Sequence, residues 1–400
     1  MTEIKEMAEQ GKNEVKPLTL EKNLEDWLME CTDDDFPTYD KDNGENPYPK
    51  RYIEFKKALL PIHNNVKQGA MAKGASEWME GTIKIIEEIE DAEERNRLLA
   101  ELKRSDPIVH LNNHGKGHVD KVIDKVSEML HFFDRGHLTP YERFFLLCAI
   151  QVHDIGNVFG RSEHEKHCFR ILQEKGKPYI PDKFERQLIQ KLALVHGGAC
   201  DGDQDTIKYL LDAPKDLYGK KIRKRLLAAL LRFGDELADD SSRADREGLE
   251  MDTILEGSRI YHQYSAALHT VAIERNPINH RGELCLCYDF DSNIATKLFR
   301  KNNQDKYLLD EIYDRTLKME RERRYCMRYI RSCFSLDCIK VKIIIQNANE
   351  SWKIDKIEYT LMENGYPVEP DSDCIRQYEP DIRTGQEEIE YLKQEWGLDT

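Results

Sequence analysis

The sequence predicts a mainly α-helical protein in which a helical core is followed by a small α+β unit. Apolar residues recur at helical spacing in several segments up to about residue 250, whereas β-branched runs bounded by turn residues appear only after Met251. A long helical pattern separates two pairs of those runs. Residues 1–104 then form a mostly helical N-terminal segment, 105–250 the functional core, and 251–400 a β-β-α-β-β extension with an acidic C-terminal tail.

In chain order, a Pro/Gly/Asp-rich loop runs from Thr32 to Pro49, and a charged helix is expected from Trp78 to Lys103. The first core helix carries Val119, Val122, Ile123, Val126, Leu130 and Phe133, with His118 on the same inward face. Thr139-Pro140-Tyr141-Glu142 is a helix start, with Thr as N-cap, Pro in the first turn and Glu placed for a capping box. The helix it opens is apolar all round, from Phe144 to Ile150 and Val152, and should be buried. It ends in His153-Asp154, with Gly156 as its expected C-cap. Leu188, Ile189, Leu192, Ala193 and Val195 lead similarly into His196, and Leu226 to Leu231 with Phe233 lead into Asp235.

The basic run Lys220 to Arg225 begins that last helix and reads as a solvated face, as does the cluster Arg321, Arg323 and Arg324 with its interspersed Glu320 and Glu322. Leu268–Ile273 and Leu284–Phe290 read as strands. A helix with Leu309, Ile312, Met319, Cys326 and Ile330 follows, then strands at Ile339–Ile345 and Ile354–Leu361. From about Pro367 the chain is acidic, poor in apolar periodicity and expected to be peripheral.

Composition narrows the partners. Across 400 residues, 60 Lys and Arg face 75 Asp and Glu, a formal charge of -15 that disfavours a surface gripping duplex nucleic acid or anionic lipid. With 34% charged residues and a mean hydropathy of -0.70, the chain offers no apolar stretch near the roughly 20 residues that span a bilayer. The opening residues do not read as a signal peptide, and the 10 cysteines contain no C-x-x-C pair. A cytoplasmic location follows, with most cysteines, Cys285 and Cys287 included, serving as packing.

The titratable helix ends carry the chemistry. Buried imidazoles and carboxylates are costly unless satisfied, and His118, His153, Asp154, His196 and Asp235 on four helices suit a divalent metal whose charge compensates their burial. From Asp106 to Asp245 the order H…HD…D resembles the HD superfamily of metal-dependent phosphohydrolases. The resemblance implies an HD-type helical bundle in which His118, His153, Asp154 and Asp235 hold the principal ion. Asp154, with His164 and His196, would hold a second, giving one or two ions of Mn, Mg, Fe, Ni or Zn.

His114-Gly115-Lys116-Gly117-His118 is similar to the H-x-x-x-H of cyclic-nucleotide phosphodiesterases of this superfamily, which implies His114 as general acid. His153 to Gly160 followed by His164-Glu165 resembles deoxynucleotide triphosphohydrolases and makes His164 and Glu165 catalytic candidates, though Asn157 stands where those usually have His. Ser162-Glu163-His164-Glu165 is equally a capping box. Lys116, Arg161 and Arg243 neighbour ligand-bearing segments and are candidate phosphate clamps.

The reading is a phosphohydrolase that uses a metal-activated water on a small nucleotide, either a (deoxy)nucleoside triphosphate or a cyclic or oligomeric nucleotide. Its rivals are a nuclease on single-stranded nucleic acid, as in CRISPR-associated HD nucleases, and a nucleotide-sensing module without turnover. The α+β unit is open to a nucleotide effector, closure over the site or a homo-oligomer. At the level of architecture the chain also resembles HD proteins of bacterial conflict systems, which implies an antiviral defence role.

Overall fold

The structure is a computed structural model that describes residues 20–32, 35–37, 47–70, 75–102, 114–131, 138–159, 164–197, 203–210, 215–276, 278, 281–301, 304–332, 334–363 and 375–397. Within these it is mainly α, with 15 α-helices and a small mixed sheet. No described helix is long and apolar enough to cross a membrane.

The N-terminal helices are α1 (Leu24–Met29), α2 (Pro47–Ala70), α3 (Ala75–Glu87) and α4 (Ala92–Leu102). The stretch read as one helix from Trp78 is therefore two. Asp91 divides it, because its carboxylate accepts from the N–H of Glu93 at 2.9 Å and caps a new helix start.

The core follows as α5 (Lys116–His131), α6 (Pro140–Val152), a 3-10 turn (Ile155–Phe159), α7 (His164–Gly176) and α8 (Lys183–Leu194). Next come the short α9 (Thr206–Leu210), a hairpin of β1 (Lys215–Leu217) and β2 (Lys220–Ile222), and α10 (Lys224–Leu237). The α6 start is built as its sequence implies: Thr139 Oγ1 accepts from Glu142 N at 3.2 Å, and Glu142 Oε2 accepts from Thr139 N at 3.0 Å. Phe144 to Val152 are all buried, each large apolar side chain contributing ~1.5–3 kcal/mol. Helix α10 packs against α5, α6 and α8, so α6 is covered on all sides.

The basic run Lys220 to Arg225 is not one solvated helical face. Its first half is β2, and Arg223 binds the buried Glu142 through Nε at 2.9 Å and Nη2 at 2.6 Å. Gly234 explains how closely α10 crosses α5, since a Cβ there would lie 2.5 Å from Val126 Cγ2. That approach carries the neighbouring Asp235 up to α5.

After α11 (Arg246–Glu250) and α12 (Glu256–Ala267) come β3 (Leu268–Arg275), β4 (Gly282–Asp291), α13 (Ser292–Ala295) and a hairpin of β5 (Leu298–Lys301) and β6 (Gln304–Tyr307). The long α14 (Leu308–Ile330), β7 (Leu336–Gln346), β8 (Ile354–Met362) and α15 (Gly385–Trp396) complete the chain. The main sheet has the order β3-β4-β7-β8, with β4 and β7 parallel and the outer pairs antiparallel. On β4, Leu284, Leu286, Tyr288 and Phe290 are buried in strict alternation.

Helix α14 joins this unit to α10, where Arg232 grips Glu322 through Nε at 2.6 Å and Nη2 at 2.7 Å. Of the arginine cluster read as solvated, Arg323 is buried and held by Glu320 and by the carbonyl of Leu336. The C-terminal segment is also less peripheral than its composition suggests. Thr384 and Glu387 form a capping box, and α15 buries Ile389 and Leu392.

Candidate metal centre

The ends of the core helices converge. His118 lies in the first turn of α5, His153 is the C-cap of α6 with Asp154 beside it, His196 stands two residues past α8, and Asp235 is in the last turn of α10. His164 opens α7. One ligand atom each from His118, His153, Asp154 and Asp235 falls within a 4.8 Å set, and Asp154, His164 and His196 form a second.

Asp154 belongs to both sets through different oxygens. Its Oδ2 is 3.6 Å from His153 Nε2 and 3.8 Å from His118 Nε2, while its Oδ1 is 3.5 Å from His164 Nε2 and 3.6 Å from His196 Nε2. Asp235 Oδ1 closes the first set at 2.9 Å from His118 Nε2 and 3.5 Å from His153 Nε2.

Two imidazoles are aimed by the helices that carry them. His153 Nδ1 donates to Ile150 O at 2.8 Å and His196 Nδ1 to Ala193 O at 2.5 Å, using carbonyls at helix ends. In the neutral ring this leaves the Nε2 lone pair facing the cluster. The Nε2 atoms of His118 and His153 are buried with no aligned hydrogen-bond partner among the described residues, His118 lying close to Asp235 but off the hydrogen-bond direction. Orphaned buried nitrogens cost ~1–3 kcal/mol each, and imidazoles set among carboxylates are the donor set of a divalent transition metal, so the residues fit such an ion.

The electrostatics agree. Burial opposes a charge on His153, but the carboxylates of Asp154 and Asp235 outweigh it and raise the imidazole to about 9. Against the same burial, the facing histidines hold Asp154 and Asp235 well below the usual carboxylate range. His118 is lowered, first by burial and then by the charge of Arg243. A ligand must be neutral, so metal uptake at pH 7 should release a proton from His153, and affinity should rise about tenfold per pH unit towards pH 9. Calorimetric titration in two buffers of different ionisation enthalpy counts that proton; a count of zero would contradict His153 as the protonated ligand.

The HD-CE family matches residues 99–317, more than half of the chain. The chain belongs to the HD-CE family. This is an HD-domain family, and the His/Asp cluster fits an HD metal site, which together support a metal-dependent hydrolase. No curated protein and no solved structure matches the chain. The HD-CE match runs past the core through β3 to β6 and into α14, so the strands are part of what the family shares.

Other candidate residues of the HD-CE chain lie at varying distances from the cluster. His114 is beside it, its Nε2 4.0 Å from Asp154 Oδ2 and 2.9 Å from Arg243 Nη2. A guanidinium only donates, so His114 Nε2 accepts in this arrangement. Lys116 is exposed and paired with Asp120. Arg161 and the side chain of Glu165 lie outside the described residues.

Gly156 is not a left-handed C-cap. It sits in the 3-10 turn, where a Cβ would fall 1.9 Å from the carbonyl oxygen of His164. Asn157 is buried and donates from Nδ2 to Asp154 O at 3.0 Å, so it braces the turn that carries Asp154 into the cluster. Two residues that sequence reasoning missed also shape the site. Cys168 accepts from Gly156 N at 3.3 Å and donates to His153 O at 3.1 Å, tying α7 to the His-Asp turn. His63 is buried close enough to feel the charge of His153, and burial first, then that charge, lowers it to about 4. Neither carried a motif: Cys168 reads as core packing and His63 stands alone in its helix.

Proposed function

We propose that this HD-CE protein is a phosphohydrolase acting on a small nucleotide, either a (deoxy)nucleoside triphosphate or a cyclic or oligomeric nucleotide. The observation that carries the reading is the division of Asp154 between two histidine sets with the cation of Arg243 alongside. His118, His153, Asp154 and Asp235 would hold the principal ion, and Asp154, His164 and His196 a second. A divalent ion there supplies Lewis acidity, lowering the pKa of water and polarising a phosphoryl oxygen. The imidazole-rich set suits Mn, Fe, Ni or Zn better than Mg, which prefers oxygen donors.

Arg243 binds substrate phosphate by its fork of donors. As the guanidinium turns to phosphate it leaves His114 Nε2, and His114 can then hold a proton at that atom and pass it to the leaving oxygen. His114→Ala should lower turnover by roughly 10²–10⁴-fold with metal content unchanged. Loss of metal in that variant would make His114 a ligand instead. Since Asn157 is committed to the Asp154 carbonyl, cleavage of a cyclic or oligomeric phosphodiester is the outcome we expect.

The test is product analysis of the metal-loaded protein on nucleoside and deoxynucleoside triphosphates, cyclic mono- and dinucleotides and short single-stranded DNA. Nucleoside plus triphosphate would establish a triphosphohydrolase, an opened cyclic phosphate a phosphodiesterase, and shortened DNA a nuclease. Metal-loaded protein without turnover on any of them would contradict the enzyme reading.

A further inference from the structure

An uncovered strand edge is a template for pairing, which proteins commonly block with a bulge, a proline or a covering element. The two edges of the main sheet differ in this respect. Strand β3 emerges directly from α12 and has a register irregularity between Leu268 and Thr270. Strand β8 pairs with β7 through an unbroken register from Cys338↔Met362 to Gln346↔Ile354, contains no proline, and has no other strand beside it among the described residues. No backbone–backbone hydrogen bond from another described element meets its outer edge; side chains reach the strand near its ends, Arg324 Nη2 donating to Met362 O at 3.2 Å and Arg383 Nη2 to Asp355 Oδ2 at 3.1 Å.

The outward face of this edge is unusual. Ile354 and Met362 are each 47% exposed, Trp352 in the preceding turn is 74% exposed, and Lys356 and Glu358 stand exposed between them. We propose that β8 pairs antiparallel with β8 of a second copy of this chain about a two-fold axis at Ile357, making one continuous sheet across a homodimer.

Side-chain chemistry selects both the occupant and the register. Facing residues of antiparallel strands share a sheet side, and a one-residue slip would put buried positions against exposed ones, so only registers in steps of two are open. Centring on Ile357 sets Lys356 opposite the partner's Glu358 and Glu358 opposite the partner's Lys356. The same register sets Ile354 against the partner's Thr360 and Trp352 against the partner's Met362. Centring on Glu358 would oppose two carboxylates, and centring on Lys356 two ammonium groups. Centring on Asp355 or Tyr359 would leave both charges facing apolar or neutral residues. The strand is thus complementary to itself in one register, which a heterologous partner would not require. This inference does not depend on the hydrolase reading.

Sedimentation of the full chain over two decades of concentration, with metal content as the folding check, tests it. The wild-type chain should dimerise, K356E should weaken dimerisation roughly tenfold by opposing carboxylates at both symmetric contacts, and K356E/E358K should recover it. Glu358 also lies 3.9 Å from Lys342 of its own chain, but that pair is exposed and its loss should matter little. As a readout free of substitutions, amide exchange in residues 354–362 of the wild-type chain should slow as concentration rises. A wild-type monomer throughout, a dimer indifferent to K356E, or a double variant as weak as the single would each overturn the proposal.

Discussion

Asp154→Ala is expected to leave the protein without bound metal and to reduce hydrolysis to background. The side chain is the one member common to both ligand sets, with Oδ2 towards His118 and His153 and Oδ1 towards His164 and His196. Its removal takes a charged donor from each set at once. It also strips His153 of the first of the carboxylates that hold its proton, leaving Asp235 alone against burial. A metal centre supplies several kcal/mol of transition-state stabilisation, so its loss should cost on the order of 10³-fold or more in turnover.

His196→Ala separates the sets, because His196 belongs only to the second. That variant should retain the ion of the first set and lose the other. Elemental analysis of both variants against wild type decides the matter. Stoichiometric metal in Asp154→Ala would exclude this carboxylate as the shared ligand.

The parts of this site that could be read from the sequence are those written within one element. Thr139-Pro140-Tyr141-Glu142 announces the start of α6, and the unbroken apolar run behind it announces a buried helix ending in His153-Asp154. The repetition of that design at His196 and Asp235 implies a common interior. What escapes is set by contacts between distant segments. Arg243 reaches His114 across 129 positions and Arg223 reaches Glu142 across 81, and periodicity says which face is buried without saying what it meets. Cys168 illustrates the same gap, since a small buried thiol has the same signature whether it fills space or ties down the His-Asp turn. The helical core and the His/Asp cluster are legible because several helix ends repeat one pattern; the contact of Arg243 with His114, the hold of Asn157 on the Asp154 carbonyl and the proposed pairing of β8 each depend on a single pairing.

Gly156→Ala should destabilise the protein by about 3 kcal/mol and selectively weaken the second ligand set. Glycine often closes a helix because it tolerates a left-handed backbone, and the residues around Gly156 invite that reading. Its backbone is not left-handed, however: the positive-φ glycines described are Gly219 and Gly397. Space is what Gly156 provides, because a Cβ would lie 1.9 Å from His164 O and 2.9 Å from Cys168 N, both backbone atoms of α7 that cannot rotate away. Relief requires α7 to move as a body, drawing His164 from Asp154 Oδ1 while His118, His153 and Asp235, held on α5, α6 and α10, keep their places. Gly117, in the first turn of α5 with nothing among the described residues within 4 Å of the position a Cβ would take, is the control. Gly117→Ala should gain roughly 0.5–1 kcal/mol from helix propensity alone. Denaturant unfolding gives the stabilities and metal stoichiometry gives the site. A Gly156→Ala variant as stable as Gly117→Ala, with both ions retained, would show that α7 is not held against the His-Asp turn by this contact.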